Sequence, residues 1–463
     1  MTGIVRLASY FPRRRLDRAL MAKAWGTRAS GTRATAGIDE DALTMAADAV
    51  QACLAAPAPD VDALYFASTS APYLEKQVAS VVATVVDLPR TVAVADFGGS
   101  VRAGLAALRG ALDGVRAGSL RTACVVAADA RLAEPDSELE PLLGDAASAA
   151  LVGAEGVIAE LVSAASVAEE FTHLSRTDRQ TYVELADGRF GVAYGFVPNV
   201  TEAVTAACRR AEIPPGKVAQ LALAAPDARA AGEVAKKLGV DAGRVVAGLI
   251  GDAGLTGTPD PLLLLSRALE TAAPGDFVVV AAFGEGADAL VFRATDRLPA
   301  GRPAPLGDRL ARGLPLPSYE RYLRARGVLP VAAAGEAFNT YFEWKELKQD
   351  VRLYGSRCEE CGTVQYPQAR VCVGCRKAEK LVDQKLARRG RVFTYTIDNL
   401  APSLEHPMPM AVIDLDGGGR VYLQMTDTAE GECVVGAPVE LTYRRLAELG
   451  ETRNYFWKAR PTL

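Results

Sequence analysis

Four cysteines in two pairs, Cys358-x-x-Cys361 and Cys372-x-x-Cys375, carry the most specific chemistry in the chain. Two such knuckles separated by a short spacer place four thiolates at tetrahedral spacing, which suits Zn2+. Gly362, Tyr366, Pro367 and Gly374 around them are ribbon-like. With every coordination position taken by sulfur, none is left for a substrate, so the metal is expected to be structural. Disulfides are the alternative, which a reducing compartment disfavours. A redox pair would be a lone exposed CxxC with a lowered pKa, and this pattern differs from that.

A second constellation lies at Val94–Leu108 (VADFGGSVRAGLAAL). It reads as the end of a strand, a tight turn at Gly98-Gly99, and a helix. Val101, Leu105, Leu108 and Leu112 fall on one helical face. A side chain in the first helical turn sits among unpaired amide N–H groups, where an activated nucleophile works well. A cysteine would suit that place, but it holds Ser100 and Val101. Ser100 reads either as an oxygen nucleophile without an evident base or as a cap on the orphan amides. The chain has only two histidines, His173 (in EEFTHL) and His406 (before Pro407), both read as solvated. Cys124 lies in a buried strand run, and Cys53 and Cys208 lie in helical runs; all three read as small core residues. The basic knot Arg13-Arg14-Arg15 meets phosphate groups or is a solvated charge run.

These groups need a scaffold, and the chain is long enough for one. Its 463 residues allow two or three domains and at least one large core. Hydrophobic residues make up 49% and charged residues 23%, as in ordinary globular proteins. A net charge of -4 gives no general attraction to nucleic acid or to anionic membranes. No apolar run approaches the roughly 20 residues needed to span a bilayer. The first twenty residues lack the basic-then-apolar order of a signal peptide. With four clustered and four scattered cysteines, a cytoplasmic protein with one metal site is expected.

Residues 1–295 alternate strand-like and helical runs, which argues for an α/β fold with a largely buried sheet. Val61–Ser68, Thr91–Phe97 and Arg121–Asp129 read as buried strands. The order of turn, helix, strand, glycine–acid turn and strand occurs twice, first through Gly144-Asp145 and then through Gly284-Glu285-Gly286. Duplication within one α/β domain is the economical reading. Residues 296–337 are a Pro-, Gly- and Arg-rich linker with a short helix capped by Ser318. A zinc ribbon is expected over 338–380. Over 381–463, short alternating runs at Arg391–Ile397, Met410–Leu415, Val421–Met425 and Pro438–Tyr443, with a Gly417-Gly418-Gly419 turn, suggest a small OB-type β-barrel. That barrel shows no basic stripe with interleaved aromatic residues of the kind that binds nucleic acid.

At Tyr10–Leu16, Asp39–Met45, Ser70–Lys76, Arg102-Ala103-Gly104 and Phe283–Ala287 the chain resembles the hydroxymethylglutaryl-CoA synthase branch of the thiolase superfamily, especially the archaeal type. More distantly it is similar to 3-oxoacyl-carrier-protein synthase III. From about residue 338 it resembles the zinc-ribbon-plus-OB proteins that accompany such thiolases as acyl-CoA-associated subunits. The resemblance implies a thiolase-like duplicated, layered fold, a homodimer, and a site with cysteine, histidine, asparagine and glutamate. Matched by motif, these four positions fall on Val101, Ala224, Asp252 and Thr69. All four depart from the family pattern. A thioester-gripping scaffold whose attacking groups are replaced implies a structural, CoA-binding subunit beside a separate cysteine-bearing thiolase. Rival readings are an acyltransferase using Ser100, a retro-aldol or hydrolytic enzyme using Asp252 as base, or a scaffold without ligand. Arg13, Arg14 and Arg15 are the candidates for the phosphates of CoA or acyl-CoA.

Overall fold

Apolar runs bounded by glycines call for strands covered on both faces. In the computed structural model, which describes residues 1–55, 60–329, 340–400, 407–446 and 453–462, the chain forms two units. The first comprises Met1–Ala36, Asp41–Ala83 and Leu88–Tyr322, and the second Gly37–Glu40, Thr84–Asp87 and Leu323–Leu463. Phe338, where the ribbon domain was expected to open, and His406 lie outside the described residues.

Unit 1 runs β1 (Gly3–Tyr10), α1 (Ala42–Cys53), β2 (Ala63–Ala67), β3 (Ala93–Phe97), α2 (Ala103–Arg116), β4 (Thr122–Asp129), β5 (Ala146–Gly153) and β6 (Ala159–Ala168). It continues with α3 (Val197–Arg210), β7 (Gln220–Ala224), α4 (Asp260–Thr271), β8 (Phe277–Phe283) and β9 (Gly286–Ala294). The nine strands form one sheet in the order β7-β8-β9-β6-β1-β5-β4-β2-β3. β2 and β4 pair in parallel, and β4 pairs antiparallel with β5. β7, β8 and β9 repeat that arrangement. The duplication read from the sequence is thus written into the sheet.

Alternation along β8 assigns its two faces. Val278, Val280 and Ala282 join a core with Leu105, Leu108 and Leu112 of α2 and Leu262–Leu265 of α4. Val279, Ala281 and Phe283 join another with Val197, Val200 and Val204 of α3. α1 begins with a capping box: Asp41 accepts from the Thr44 N–H at 3.0 Å, and Thr44 Oγ1 accepts from the Asp41 N–H at 2.9 Å.

Two expectations change. The run Thr91–Phe97 reads as a buried strand, yet β3 is the sheet's edge, with Ala93 and Asp96 exposed. Apolar composition reports the absence of polar side chains, not the presence of a covering neighbour. The Pro- and Arg-rich stretch after residue 295 is built into unit 1 up to Tyr322 rather than strung between units. Leu298 and Leu306 are fully buried, and Arg302 donates to the carbonyls of Leu269, Glu270 and Ala272. Ser318 does cap its helix, accepting from the Arg321 N–H at 3.3 Å.

Unit 2 contains α5 (Thr340–Asp350), then β10 (Tyr354–Cys358), β11 (Val364–Gln365) and β12 (Leu381–Lys385), which form a three-stranded ribbon. β13 (Arg389–Asp398), β14 (Met408–Leu415), β15 (Arg420–Gln424), β16 (Pro438–Arg445) and β17 (Tyr455–Pro461) follow in the order β15-β14-β13-β16-β17. A parallel bridge from Met425 to Ala459 draws the two edges together into a near-closed OB-like barrel. The three glycines between β14 and β15 all have positive φ, which side chains rarely adopt.

Charge is buried in this unit. Arg444, with no exposed side-chain surface, bonds Glu40 Oε1 at 2.5 Å and Asp427 Oδ2 at 2.6 Å, and Lys458 bonds Asp39 Oδ2 at 2.8 Å. Burial pushes the Glu40 carboxyl up to about 7 despite Arg444. Burial also acts on Asp39, but Lys458 and then Arg444 outweigh it and hold that group at about 2. A carboxyl whose folded pKa lies above its unfolded value of 4.5 favours the folded state fully only at lower pH. Unit 2 is therefore expected to lose up to about 3 kcal/mol between pH 4.5 and 7, at about 1.4 kcal/mol per pKa unit. Glu40→Gln should flatten that slope in urea unfolding read at Trp457. An unchanged slope in the variant would show that Glu40 does not titrate in this window.

Candidate functional site

The turn after β3 forms as its sequence requires. Gly99 has φ +80°, and a Cβ on Gly98 would stand 3.2 Å from the Ser68 carbonyl. Gly104, in the first turn of α2, has no room for a Cβ against the backbone carbonyl of Thr258. The reading of Ser100 as a helix cap is corrected: Arg102 occupies the N-cap, without a side-chain cap bond. The Ser100 hydroxyl is buried without a hydrogen-bond partner among the described residues. It lies against Gly284, where a Cβ would collide with it, and Val101 touches the same glycine position. Arg102 fixes this junction by donating to the carbonyls of Val167 and Glu285 and pairing with Asp288 at 3.6 Å. A serine nucleophile needs a base beside it, and among the described residues none accepts from the Ser100 hydroxyl.

Beside the turn stands a group the sequence reading passed over. Asp129, the last residue of β4, is fully buried. Its carboxylate accepts from Ser68 Oγ (3.0 Å), Thr69 N (2.8 Å), Thr69 Oγ1 (3.0 Å), Ser70 Oγ (2.8 Å) and Thr258 N (2.9 Å). Thr69, the position matched to a glutamate, is therefore a donor to a buried anion. The only trace of this in the sequence is an acid closing an apolar run, CVVAAD. Nearby, burial pushes Asp260 up to about 6 even though the Thr256 hydroxyl donates to it at 2.7 Å.

The other candidates are dispersed. Ala224 ends β7 and offers no proton-transfer group. Asp252 is exposed; its N–H donates to the Leu249 carbonyl at 3.1 Å and its own carbonyl accepts from Thr32 Oγ1 at 3.0 Å. Thr258, six positions further on, reaches the first turn of α2 at Gly104. His173 is not solvated as expected: it is half-buried, its ring 5.7 Å from Phe283 and its Nδ1 against Gly191, and burial lowers its pKa. Cys53, Cys124 and Cys208 are buried core residues. A hydrogen bond with Cys53 and burial raise the Cys124 thiol, and burial raises Cys208 to about 11. Arg15 is corrected as a phosphate ligand. It is buried, and its guanidinium donates to the carbonyls of Pro12, Arg14 (3.1 Å) and Leu310 (3.4 Å). Arg13 and Arg14 remain half-buried at the surface.

In unit 2, the sulfurs of Cys358, Cys361, Cys372 and Cys375 all lie within 4.8 Å of one another. Cys358 and Cys375 are 3.7 Å apart, and Cys361 and Cys372 are 3.5 Å apart. A zinc tetrahedron with Zn–S of about 2.3 Å has edges of about 3.8 Å, so the sulfurs fit the ion. Hydrogen bonds, from Thr363 foremost, draw the Cys361 thiol down to about 6. Zinc here would tie the knuckles together and leave no open position.

The family described as "ChsH2, rubredoxin-like zinc ribbon domain" matches residues 346–381, and "ChsH2, C-terminal OB-fold domain" matches 383–444. The chain is 30% identical over 311 residues to a hydroxymethylglutaryl-CoA synthase of Caldivirga maquilingensis, covering 64% of this chain and 89% of that one. It is 32% identical over 123 residues to a DUF35 domain-containing scaffold protein of Methanocaldococcus jannaschii, covering 26% of this chain and 87% of that one. Its fold matches a crystal structure of an HMG-CoA synthase complexed with CoA, with TM-score 0.65 and 18% identity over 73% of this chain and 94% of that one.

Two outcomes follow from this geometry. Elemental analysis should find one zinc per chain, and Cys372→Ser should lose it and render residues 346–381 protease-sensitive; retention of both zinc and protease resistance would refute the assignment. Gly104→Ala should destabilise unit 1 by about 1–3 kcal/mol, the usual range for overpacking, in denaturant unfolding followed at Trp25.

Proposed function

Because the chain belongs to the hydroxymethylglutaryl-CoA synthase family and carries a DUF35-type zinc-ribbon and OB module fused behind that fold, we propose that it is the structural, CoA-binding subunit of a thiolase-type complex. The complex forms or cleaves a carbon–carbon bond next to a thioester, and a separate cysteine-bearing thiolase supplies the nucleophile. One observation carries this reading: the Ser100 hydroxyl, at the turn where attack on a thioester would occur, is buried with no acceptor for its proton among the described residues. Val101, Ala224 and Thr69 at the positions matched to cysteine, histidine and glutamate support it. Claisen chemistry needs a carrier nucleophile, an oxyanion donor and an acid/base placed together.

In this reading Arg13 and Arg14 meet the CoA phosphates, and the four-cysteine zinc stiffens the module that engages the partner. The unit 1 fold forms a homodimer through β3, whose exposed edge invites strand pairing with a second copy. The protein works in the cytoplasm, where thiols stay reduced.

Calorimetry of the purified chain with CoA and acetyl-CoA tests the ligand. Arg14→Glu should weaken binding about tenfold, equivalent to about 1.4 kcal/mol. Free-thiol assays with acetyl-CoA and acetoacetyl-CoA should show no turnover by this chain alone, and turnover when the cysteine-bearing thiolase of the same organism is added. Turnover by the isolated chain that Ser100→Ala abolishes would overturn the proposal in favour of a serine acyltransferase.

A further inference from the structure

We propose that Asp129 is the positioning residue that holds the thioester pocket in its binding shape; this rests on the CoA-binding reading above. Its carboxylate joins three segments distant in sequence: Ser68–Ser70 after β2, the end of β4, and Thr258 ahead of α4. One of these segments touches the Ser100 turn and another the first turn of α2 that follows it. The Ser68 carbonyl packs against Gly98, with the Ser68 N–H donating to the Phe97 carbonyl at 3.0 Å, and the Thr258 carbonyl packs against Gly104. Thr258 Oγ1 closes the circuit by donating to the Ala67 carbonyl at 3.2 Å.

The chemistry of the hub is unusual for a buried acid. Among the described residues its five hydrogen-bond partners are neutral N–H and O–H dipoles, while the Arg131 guanidinium stands beside it around Gly257. A carboxylate so solvated gains most when all five donors converge on it, so it acts as a template for the backbone around it. Three consecutive hydroxyl residues, Ser68-Thr69-Ser70, thereby turn inward, and Ser70 Oγ passes the order on by accepting from the Ala130 N–H at 2.8 Å. In this chain the place matched to a catalytic glutamate carries no free acid. The nearby acid is behind it, serving geometry rather than proton transfer.

Asp129→Asn tests this, because an amide presents N–H groups to some of the five donors and repels them. Backbone hydrogen exchange of the ligand-free chain should accelerate more than tenfold at residues 68–70 and 258. The control is Val126→Ala, which cuts a buried side chain from the same strand and lowers stability without touching the hub. Ser70→Ala, which removes one donor and leaves the carboxylate in place, should accelerate exchange at 70 and 130 alone and serves if Asp129→Asn does not fold. Acetyl-CoA binding should weaken at least tenfold in Asp129→Asn and less than twofold in Val126→Ala. Exchange in the hub variants no faster at these amides than in the control would overturn the proposal. So would loosened segments with undiminished acetyl-CoA binding. If the parent chain binds no CoA, the functional reading fails, and the exchange comparison still decides whether Asp129 positions these segments.

Discussion

The backbone contact between the first turn of α2 and the residues that lead into α4 sets the terms for unit 1. Gly104 lies against the Thr258 carbonyl so closely that no side chain fits between them. Both helices are buried along the leucine faces they share, with Leu105, Leu108, Leu112, Leu262, Leu263 and Leu265 fully enclosed. A close approach of two backbones leaves no room for water, so the polar groups at these helix starts must find protein partners. Thr258 accordingly gives its N–H to Asp129 and its hydroxyl to the Ala67 carbonyl. The tightness of the central packing and the polar network beside the Ser100 turn are two sides of one constraint.

The two units bury charge by different means. In unit 1, Asp129 takes its hydrogen bonds from neutral donors, an arrangement that depends on direction and distance, with the Arg131 guanidinium beside it around Gly257. In unit 2, Asp39, Glu40 and Asp427 are neutralised by Arg444 and Lys458. Coulombic pairing tolerates more displacement than hydrogen bonding but leaves a residual problem, since three carboxylates face two cations. Burial foremost, and then the neighbouring Asp427 and Asp39, raise the Glu40 carboxyl against the pull of Arg444. Breaking either arrangement would strand a buried charge, which costs several kcal/mol.

A thioester-binding shape and thioester chemistry make separable demands. In the proposed reading, shape rests on the glycine turn, the junction at Gly284 that Arg102 holds, and the segment Ser68–Ser70 that Asp129 pins. Chemistry needs a nucleophile with a base, and the Ser100 hydroxyl has no acceptor among the described residues. His173 packs its ring on Phe283, with centroids 5.7 Å apart.

Much of this was legible in the chain. The strands over VDALYFAS, RTACVVAAD and FVVVAAF announce themselves as apolar runs between turns, and the cysteine spacing names its own metal site. β1 escaped because Arg6 interrupts its apolar run; that guanidinium leaves the sheet to bond the Cys53 and Ala55 carbonyls at 2.8 Å. The exposure of β3 was hidden because an edge strand and a central strand share one composition. Arg15 looked like a phosphate ligand because a run of arginines does not reveal which of them points inward. Periodicity, glycine turns and ligand spacing are local, so the sequence by itself determined the fold class, the repeat and the four-sulfur cluster. The partners of Asp129 come from about 60 and 129 residues away. Only the tertiary structure could decide which polar groups form the site, because hydrogen bonds act over ångströms in space and carry no mark in the chain.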